Sequence, residues 1–410
     1  LRTQGYPPDY DRLLAWLAQP LTFYHAKFIR IIRIGLPILF VLALVFSIIN
    51  RNFTPAISLF VLNFFVAGRY GNQTSKIHAA ISKNVESLGA LAKLLYLVNA
   101  TDFRNDTLQS LQNDTKQADQ ELKKLDRIAR FFDQRLNVVV FVLLSGTILY
   151  DLQCVFWLET WKLRNQDKLR RWLNAIGELE MLNSLATWQF NHPAYAVPEV
   201  VDDVPFIDAT ALAHPLIPPD ECVANDFRVG KGKRLYIVTG SNMSGKSTFL
   251  RTVGVNVLLA RCGAAVCAER FTCSPMDIYS SLRQSDSLQE HVSLFYAELR
   301  KLQYILEGLA ENPHALVLLD EVLRGTNSDD KLYGSQQLVR RLLDLGCVGL
   351  LATHDIDLAK MEDEHPDALG NLCFESIITG DELIFDYKLK TGTAQNRNAT
   401  FLMRKMGIIG

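Results

Sequence analysis

The chain has 410 residues, room for two to four domains at about 100–200 residues each. Its 43 Lys/Arg and 44 Asp/Glu leave a net charge of −1, which excludes a uniformly basic nucleic-acid binder and an acidic disordered tail. With 49% hydrophobic and 21% charged residues and a mean hydropathy of +0.07, the chain is too apolar for intrinsic disorder and invites a membrane segment. The charge is uneven: residues 1–100 carry +7 and the rest −8, and the basic part is also the most apolar. Basic flanks around apolar runs point to membrane insertion before DNA.

Residues 1–26 read as a short amphipathic lead-in. Leu1 in place of Met fits a fragment or a processed chain. The first apolar run starts too late, and lacks the cleavage site, for a signal peptide. Residues 34–50 and 53–68 are two uncharged apolar runs, each shorter than the roughly 20 residues of a full span. Lys27, Arg30, Arg33 and Arg69 can snorkel to the interfaces. Basic residues precede the first run and follow the second (Arg69, Lys76, Lys83), and only Arg51 lies in the turn. This order predicts a transmembrane hairpin in the cytoplasmic membrane, touching lipid through residues 34–68, with both ends in the cytoplasm. The alternative is a buried hairpin of a soluble bundle, for which two such runs in this charge order are unusual.

Residues 71–136 are polar and helical. Leu108, Leu111, Thr115, Ala118, Leu122, Leu125, Ala129, Phe132 and Leu136 alternate spacings of three and four, a seam that fits either a lever-like coiled coil or an ordinary bundle helix. Residues 136–150 form a third uncharged run. A third crossing would put the C-terminal part of the chain on the other side of the membrane from both hairpin ends, and the run continues into an amphipathic stretch, so it reads as a buried helix. From about residue 186, prolines punctuate a loop-and-strand region. Apolar strands then alternate with helices over 235–239, 248–261, 293–309, 315–319, 332–345 and 348–352, the pattern of a parallel sheet covered on both faces. The expected organisation is therefore 1–70 lead-in and hairpin, 71–185 helical core or lever, and 186–410 an α/β domain. The seven cysteines (Cys154, Cys222, Cys262, Cys267, Cys273, Cys347, Cys373) are odd in number and lack zinc-like spacing, which favours reduced thiols in a cytosolic fold.

The strongest motif is the run Gly240, Ser241, Asn242, Met243, Ser244, Gly245, Lys246, Ser247, Thr248, which satisfies G-x-x-x-x-G-K-[ST] between an apolar strand and a helical run. Glycines let backbone N–H groups curl around a phosphate, and the helix N-terminus adds positive potential. Lys246 supplies a cation for the β- and γ-phosphates of ATP, and Ser247 a hydroxyl for Mg²⁺. About 75 residues on, five apolar residues end in Asp320 and Glu321. Asp320 is placed to hold Mg²⁺, and Glu321 to polarise the attacking water as general base. A further apolar strand delivers His354 to the same sheet edge, where it would sense the γ-phosphate.

Together these residues resemble the MutS family, the ATPases of DNA mismatch repair. The run 240–248 is similar to the family's G-P-N-M-x-G-K-S-T, residues 320–326 to its D-E-x-x-R-G-T, and Thr353 and His354 to its A-T-H. His214 and Pro215, and Asn225 and Asp226, resemble its H-P and N-D segments, and residues 293–298 its S-T-F-x-x-E. The resemblance implies a P-loop ATPase domain of the ABC/MutS type, with a mostly parallel sheet, preceded here by an all-α core or lever and the hairpin. It also implies a homodimer with composite ATP sites reached by Ser293, and DNA as the partner. There are departures. His291 and Val292 stand where the family has Gly-Arg, and Leu294 where it has Thr. No F-x-E motif is found near the N-terminus, no separate mismatch-binding or connector domain is expected to have room, and the residues up to Gly410 read as lacking the family's C-terminal helical extension. No dense Lys/Arg stripe marks the helical arm as a phosphate track. A membrane-bound ATPase of another class, such as a transporter subunit, would carry L-S-G-G-Q, where residues 288–294 read Leu-Gln-Glu-His-Val-Ser-Leu. A nucleotide-binding switch or scaffold that does not act on DNA is the other alternative. Intact Lys246, Asp320 and Glu321 count against one that scarcely turns over.

Overall fold

The computed structural model describes residues 15–82, 85–241, 243–282, 294–379, 382–395, 403, 408 and 409. They fall into two compact units, Leu1–Leu182 and Asn183–Gly410.

The first unit is helical: α1 (Lys27–Asn50), α2 (Thr54–Ser82), α3 (Val85–Ala100), α4 (Asp106–Asp114), α5 (Ala118–Asp133), α6 (Val138–Ile148) and most of α7 (Tyr150–Asn191). The three-four seam is buried from Leu111 to Phe132, but it does not lie on one helix. Gln117 takes a left-handed φ of 65° and separates α4 from α5. Leu122 and Leu125 join one core with Leu91 and Leu95 of α3 and Leu158 of α7, so the seam packs within the chain. Pro37 inside α1 has no N–H to give the Arg33 carbonyl. The Gln153 side chain replaces it, donating from Nε2 to that carbonyl at 2.6 Å and accepting from Arg33 Nη1 at 2.9 Å. The lead-in is anchored on α7 as well. Glu159 accepts the backbone N–H groups of Thr22, Phe23 and Tyr24, and Lys162 Nζ donates to the carbonyls of Trp16 and Gln19.

Among the described residues, one single helix, α1, is long and apolar enough to cross a membrane, and only 6% of its most apolar window is buried. The second run opens α2, which continues past Gly68 into polar sequence. The run 136–150 departs from the expected buried helix. It forms α6, which exposes Val138, Val139 and Leu143 and buries only Ser145 and Gly146. A helix that is apolar all round has the same composition whether protein or lipid surrounds it, so the pattern alone could not separate the two.

The second unit is layered. A six-stranded sheet runs in the order β10 (Glu382–Thr391), β9 (Leu369–Thr379), β4 (Leu235–Gly240), β8 (Val348–Thr353), β7 (Ala315–Asp320), β6 (Asp277–Ser281), and all neighbours are parallel except the β9–β10 pair. Every residue of β7 and β8 is buried, as expected of central parallel strands covered on both faces. One face packs on α8 (Lys246–Arg261) and on a four-stranded sheet of β1 (Glu199–Val200), β5 (Arg270–Cys273), β2 (Ile207–Leu212) and β3 (Asn225–Val229). The other packs on α9 (Leu294–Glu311) and α10 (Ser328–Leu345). Asn327 caps α10 by accepting from the Asp330 N–H at 2.8 Å, and Gly346 ends it at φ 80°.

Candidate functional site

The register of the parallel strands assembles the site. Thr239 pairs with Thr353 and Asp320 with Ala352, so β4, β7 and β8 end together at one carboxyl edge. From β4 the chain turns at Gly240, where φ is 152° and a Cβ would stand 2.7 Å from the Phe374 carbonyl oxygen. Gly245, at φ 105°, opens α8. Both positions thus need glycine for a loop to pass this close to the sheet.

Lys246 begins α8 and is 4% exposed, and its Nζ donates to the carbonyls of Gly240 at 2.7 Å and Ser241 at 2.8 Å. Burial holds its pKa below the ordinary lysine range, against the pull of Glu321 and Asp320 and with a small push from Arg324. Met243 is exposed, Ser244 buried, and Gly245, Ser247 and Thr248 line the same cleft as Ser241 and Lys246. Asn242 and Ser293 lie outside the described residues.

Asp320 is 5% exposed and both its carboxylate oxygens lack a hydrogen-bond partner. A buried carboxylate without donors suits a hydrated Mg²⁺, so the residues fit that ion. No group of three His, Cys, Asp or Glu poised for a metal occurs among the described residues, so a cation here would need phosphate oxygens as co-ligands.

Glu321 follows at φ 49°, a left-handed conformation unusual for a residue with a side chain. Its N–H is held by the Ala352 carbonyl at 2.8 Å, and its side chain meets Arg324 at 2.7 Å and His354 Nδ1 at 3.8 Å. Glu321, Arg324 and His354 thus form one group, of which Glu321 and Arg324 line the cleft and the more exposed His354 does not. The loop is braced from α9: Glu298 accepts the Leu323 N–H at 2.7 Å.

The cleft has a volume of about 790 Å³ and, besides the glycine-rich loop, is lined by Leu216, Ile217, Pro218 and Tyr387. Burial, aided by Arg251, depresses the pKa of His214, which also lines it. Tyr387 carries no local motif. A register shift between Phe385 and Leu389 on β10 puts it beside Gly245, and Asn225 secures that bulge by donating to the Tyr387 carbonyl and accepting from the Leu389 N–H. Asp226 accepts the Ala211 N–H at 2.8 Å and so holds the irregular end of β2. Only the Asn-Asp pair signalled this arrangement in the sequence. The pairing of β3 with a bulge over 160 residues away did not.

A mostly parallel sheet in which β4 turns through a glycine-rich loop into a helix, with two acids at the end of β7, separated from β4 by β8, has the arrangement of an α/β domain of the P-loop class. Within it, residues 236–406 match the family model of MutS domain V, an ATPase domain.

Proposed function

We propose that the chain is a membrane-anchored MutS-type protein that binds and hydrolyses ATP and couples its nucleotide state to a bound partner, as the mismatch-repair ATPases do with DNA. The observation that carries this reading is the convergence of Lys246, Asp320 and Glu321 on one sheet edge, within the stretch that matches MutS domain V.

The loop N–H groups at the start of α8 cradle the phosphates of ATP, and Lys246 leaves the carbonyls of Gly240 and Ser241 to neutralise the β- and γ-oxygens. The apolar lining residues Tyr387 and Ile217 take the base. Ser247 and Asp320 would hold Mg²⁺, which supplies charge neutralisation on the phosphates when bound. Glu321 accepts the proton of a water as the water oxygen bonds to the γ-phosphorus. The bond from that phosphorus to the bridging oxygen breaks, and ADP leaves with the electron pair, giving ADP and phosphate. His354, beside Glu321, touches the γ-phosphate and reports its presence.

Two chains would meet through their ATPase domains, with Ser293 reaching the partner's nucleotide. The hairpin of α1 and α2 would hold the protein in the cytoplasmic membrane with the ATPase domain in the cytoplasm. Support comes from the apolar, largely exposed α1 and its basic flank. The test is ATPase activity of the detergent-solubilised protein with and without duplex, branched and single-stranded DNA. Stimulation by one DNA form, lost as salt rises, is expected. Turnover that ignores every DNA form would remove DNA as the partner.

A further inference from the structure

Helices α1, α2 and α6 pack inside out. Within their charge-free runs (34–50, 54–68 and 138–148) the buried positions are small or polar: Ser47 on α1, Ala56, Asn63 and Ala67 on α2, and Ser145 and Gly146 on α6, whereas the large buried residues Ile29 and Ile81 lie outside those runs. The residues turned outward on the same helices are Phe, Ile, Leu and Val. Helices associating in lipid meet through small and polar residues, because apolar side chains gain nothing by leaving the acyl chains. A bundle folded in water shows the reverse.

Helix α6 fits this scheme without being a crossing. Its 11 residues extend about 16 Å, half of a hydrocarbon core about 30 Å thick. It turns 109° from the helical segment that ends at Leu136. The residues on either side of it meet again: Arg135 pairs with Asp151 at 2.9 Å, the two side chains being 11% and 2% exposed, and Thr74 of α2 donates to the same carboxylate. The chain therefore returns after α6 to the place it left before it. Two devices keep the backbone polar groups satisfied. Asn137 caps the start of α6 by accepting the N–H groups of Val139 and Val140, and near its end Asn63 Nδ2 donates to the Gly146 carbonyl at 3.0 Å.

We propose that α6 is a re-entrant half-span. It dips into the bilayer beside the hairpin from the side of the ATPase domain, and the Arg135–Asp151 pair closes the loop at the interface. The occupant of its exposed apolar face is lipid, and the basic residues at the same end of the hairpin, Lys27, Arg30 and Arg69, suit anionic headgroups. The inference rests on the hairpin being membrane-embedded and adds a third inserted element with no third crossing.

The test uses the full chain in phosphatidylcholine–phosphatidylglycerol vesicles, with Cys222, Cys262 and Cys267 changed to serine. Nitroxide labels are placed singly at Val139 and Leu143 of α6 and at Leu42 and Val61 of the hairpin. At all four, collisions with oxygen should exceed those with a water-soluble nickel complex severalfold. Nickel access at α6 with lipid-like values at Leu42 and Val61 would overturn the half-span and leave the hairpin standing. Low values for both reagents at α6 would mean a protein-covered face and overturn it equally. Nickel access at Leu42 and Val61 would overturn the hairpin and the inference together. Cysteines introduced at the exposed Gln134 and Arg164 report topology: in sealed inside-out membranes both should react with an impermeant maleimide. Reaction at one alone would make α6 a crossing.

Discussion

Arg324 Nη2 stands 2.7 Å from Glu321 Oε2 while Arg324 Nε donates to the Glu321 carbonyl at 3.0 Å, so one guanidinium fixes both ends of a residue whose backbone is already strained at φ 49°. This clamp holds the carboxylate at the cleft that both residues line. Arg324→Ala should therefore lower kcat about tenfold with little change in KM, since only the orientation of the base is lost. A raised KM at unchanged kcat would instead make Arg324 a substrate-binding residue.

Glu321→Gln keeps the shape and removes the base. ATP should bind as in the parent protein while turnover falls by roughly 10²–10⁴-fold, the range for a general base. Single-turnover hydrolysis separates the two steps, and parent-like turnover would exclude Glu321 from proton transfer.

Lys246→Ala should weaken ATP binding by roughly 30- to 150-fold, the worth of a charge-assisted hydrogen bond of about 2–3 kcal/mol. The pH dependence has a definite sign. Burial lowers the Lys246 pKa, whereas bound phosphate favours the charged form. Below the lowered pKa the ammonium is already present and affinity is flat. Above it, binding must take up a proton, and affinity falls as pH rises. Titration calorimetry in two buffers of different ionisation enthalpy should show this uptake in the parent protein, and none in the alanine variant.

The thiols should divide by burial. Cys262 is exposed, whereas Cys154, Cys273 and Cys347 are buried with pKa values pushed up to about 12, about 11 and about 11 by desolvation. Thiolate is the reactive form, so Cys262 should label first, the half-buried Cys222 and Cys267 more slowly, and the buried ones only on unfolding. Fast labelling of Cys347 in the native protein would contradict its place in the sheet core.

What could be read from the sequence was local. The glycine-rich run, the acids after an apolar strand and His354 are each defined by neighbours in the chain, and the parallel register brings them to one edge. The seam from Leu111 to Phe132 also shows in its spacing, although nothing marked the left-handed Gln117 that divides it. The rest depends on partners far apart in sequence. Tyr387 enters the cleft through a bulge on β10 held by Asn225, and Gln153 replaces the hydrogen bond that Pro37 removes from α1. The charge-free run 136–150 reads as core from its composition, whereas α6 leaves Val138, Val139 and Leu143 exposed, and the Arg135–Asp151 pair that closes it joins residues that no local pattern links.

The anchor of the lead-in is another long-range feature. Glu159 accepts three consecutive N–H groups, from Thr22, Phe23 and Tyr24, and is 5% exposed. One turn on, Lys162 binds the carbonyls of Trp16 and Gln19, and burial lowers its pKa while Glu159 opposes that shift. Glu159→Ala would leave the three donors without their acceptor and Lys162 without its compensating charge. The expected cost is about 2–4 kcal/mol, from the desolvation of unmet buried groups. Glu159→Gln, which keeps one acceptor oxygen near these donors, should lose less. The measurement is thermal unfolding of the first unit in detergent, paired with limited proteolysis between residues 15 and 26. The alanine variant should be cut there while its ATPase domain still binds nucleotide. Resistance equal to the parent's would mean that the segment is held by Trp16 and Phe23 packing in the helical core, and not by the carboxylate.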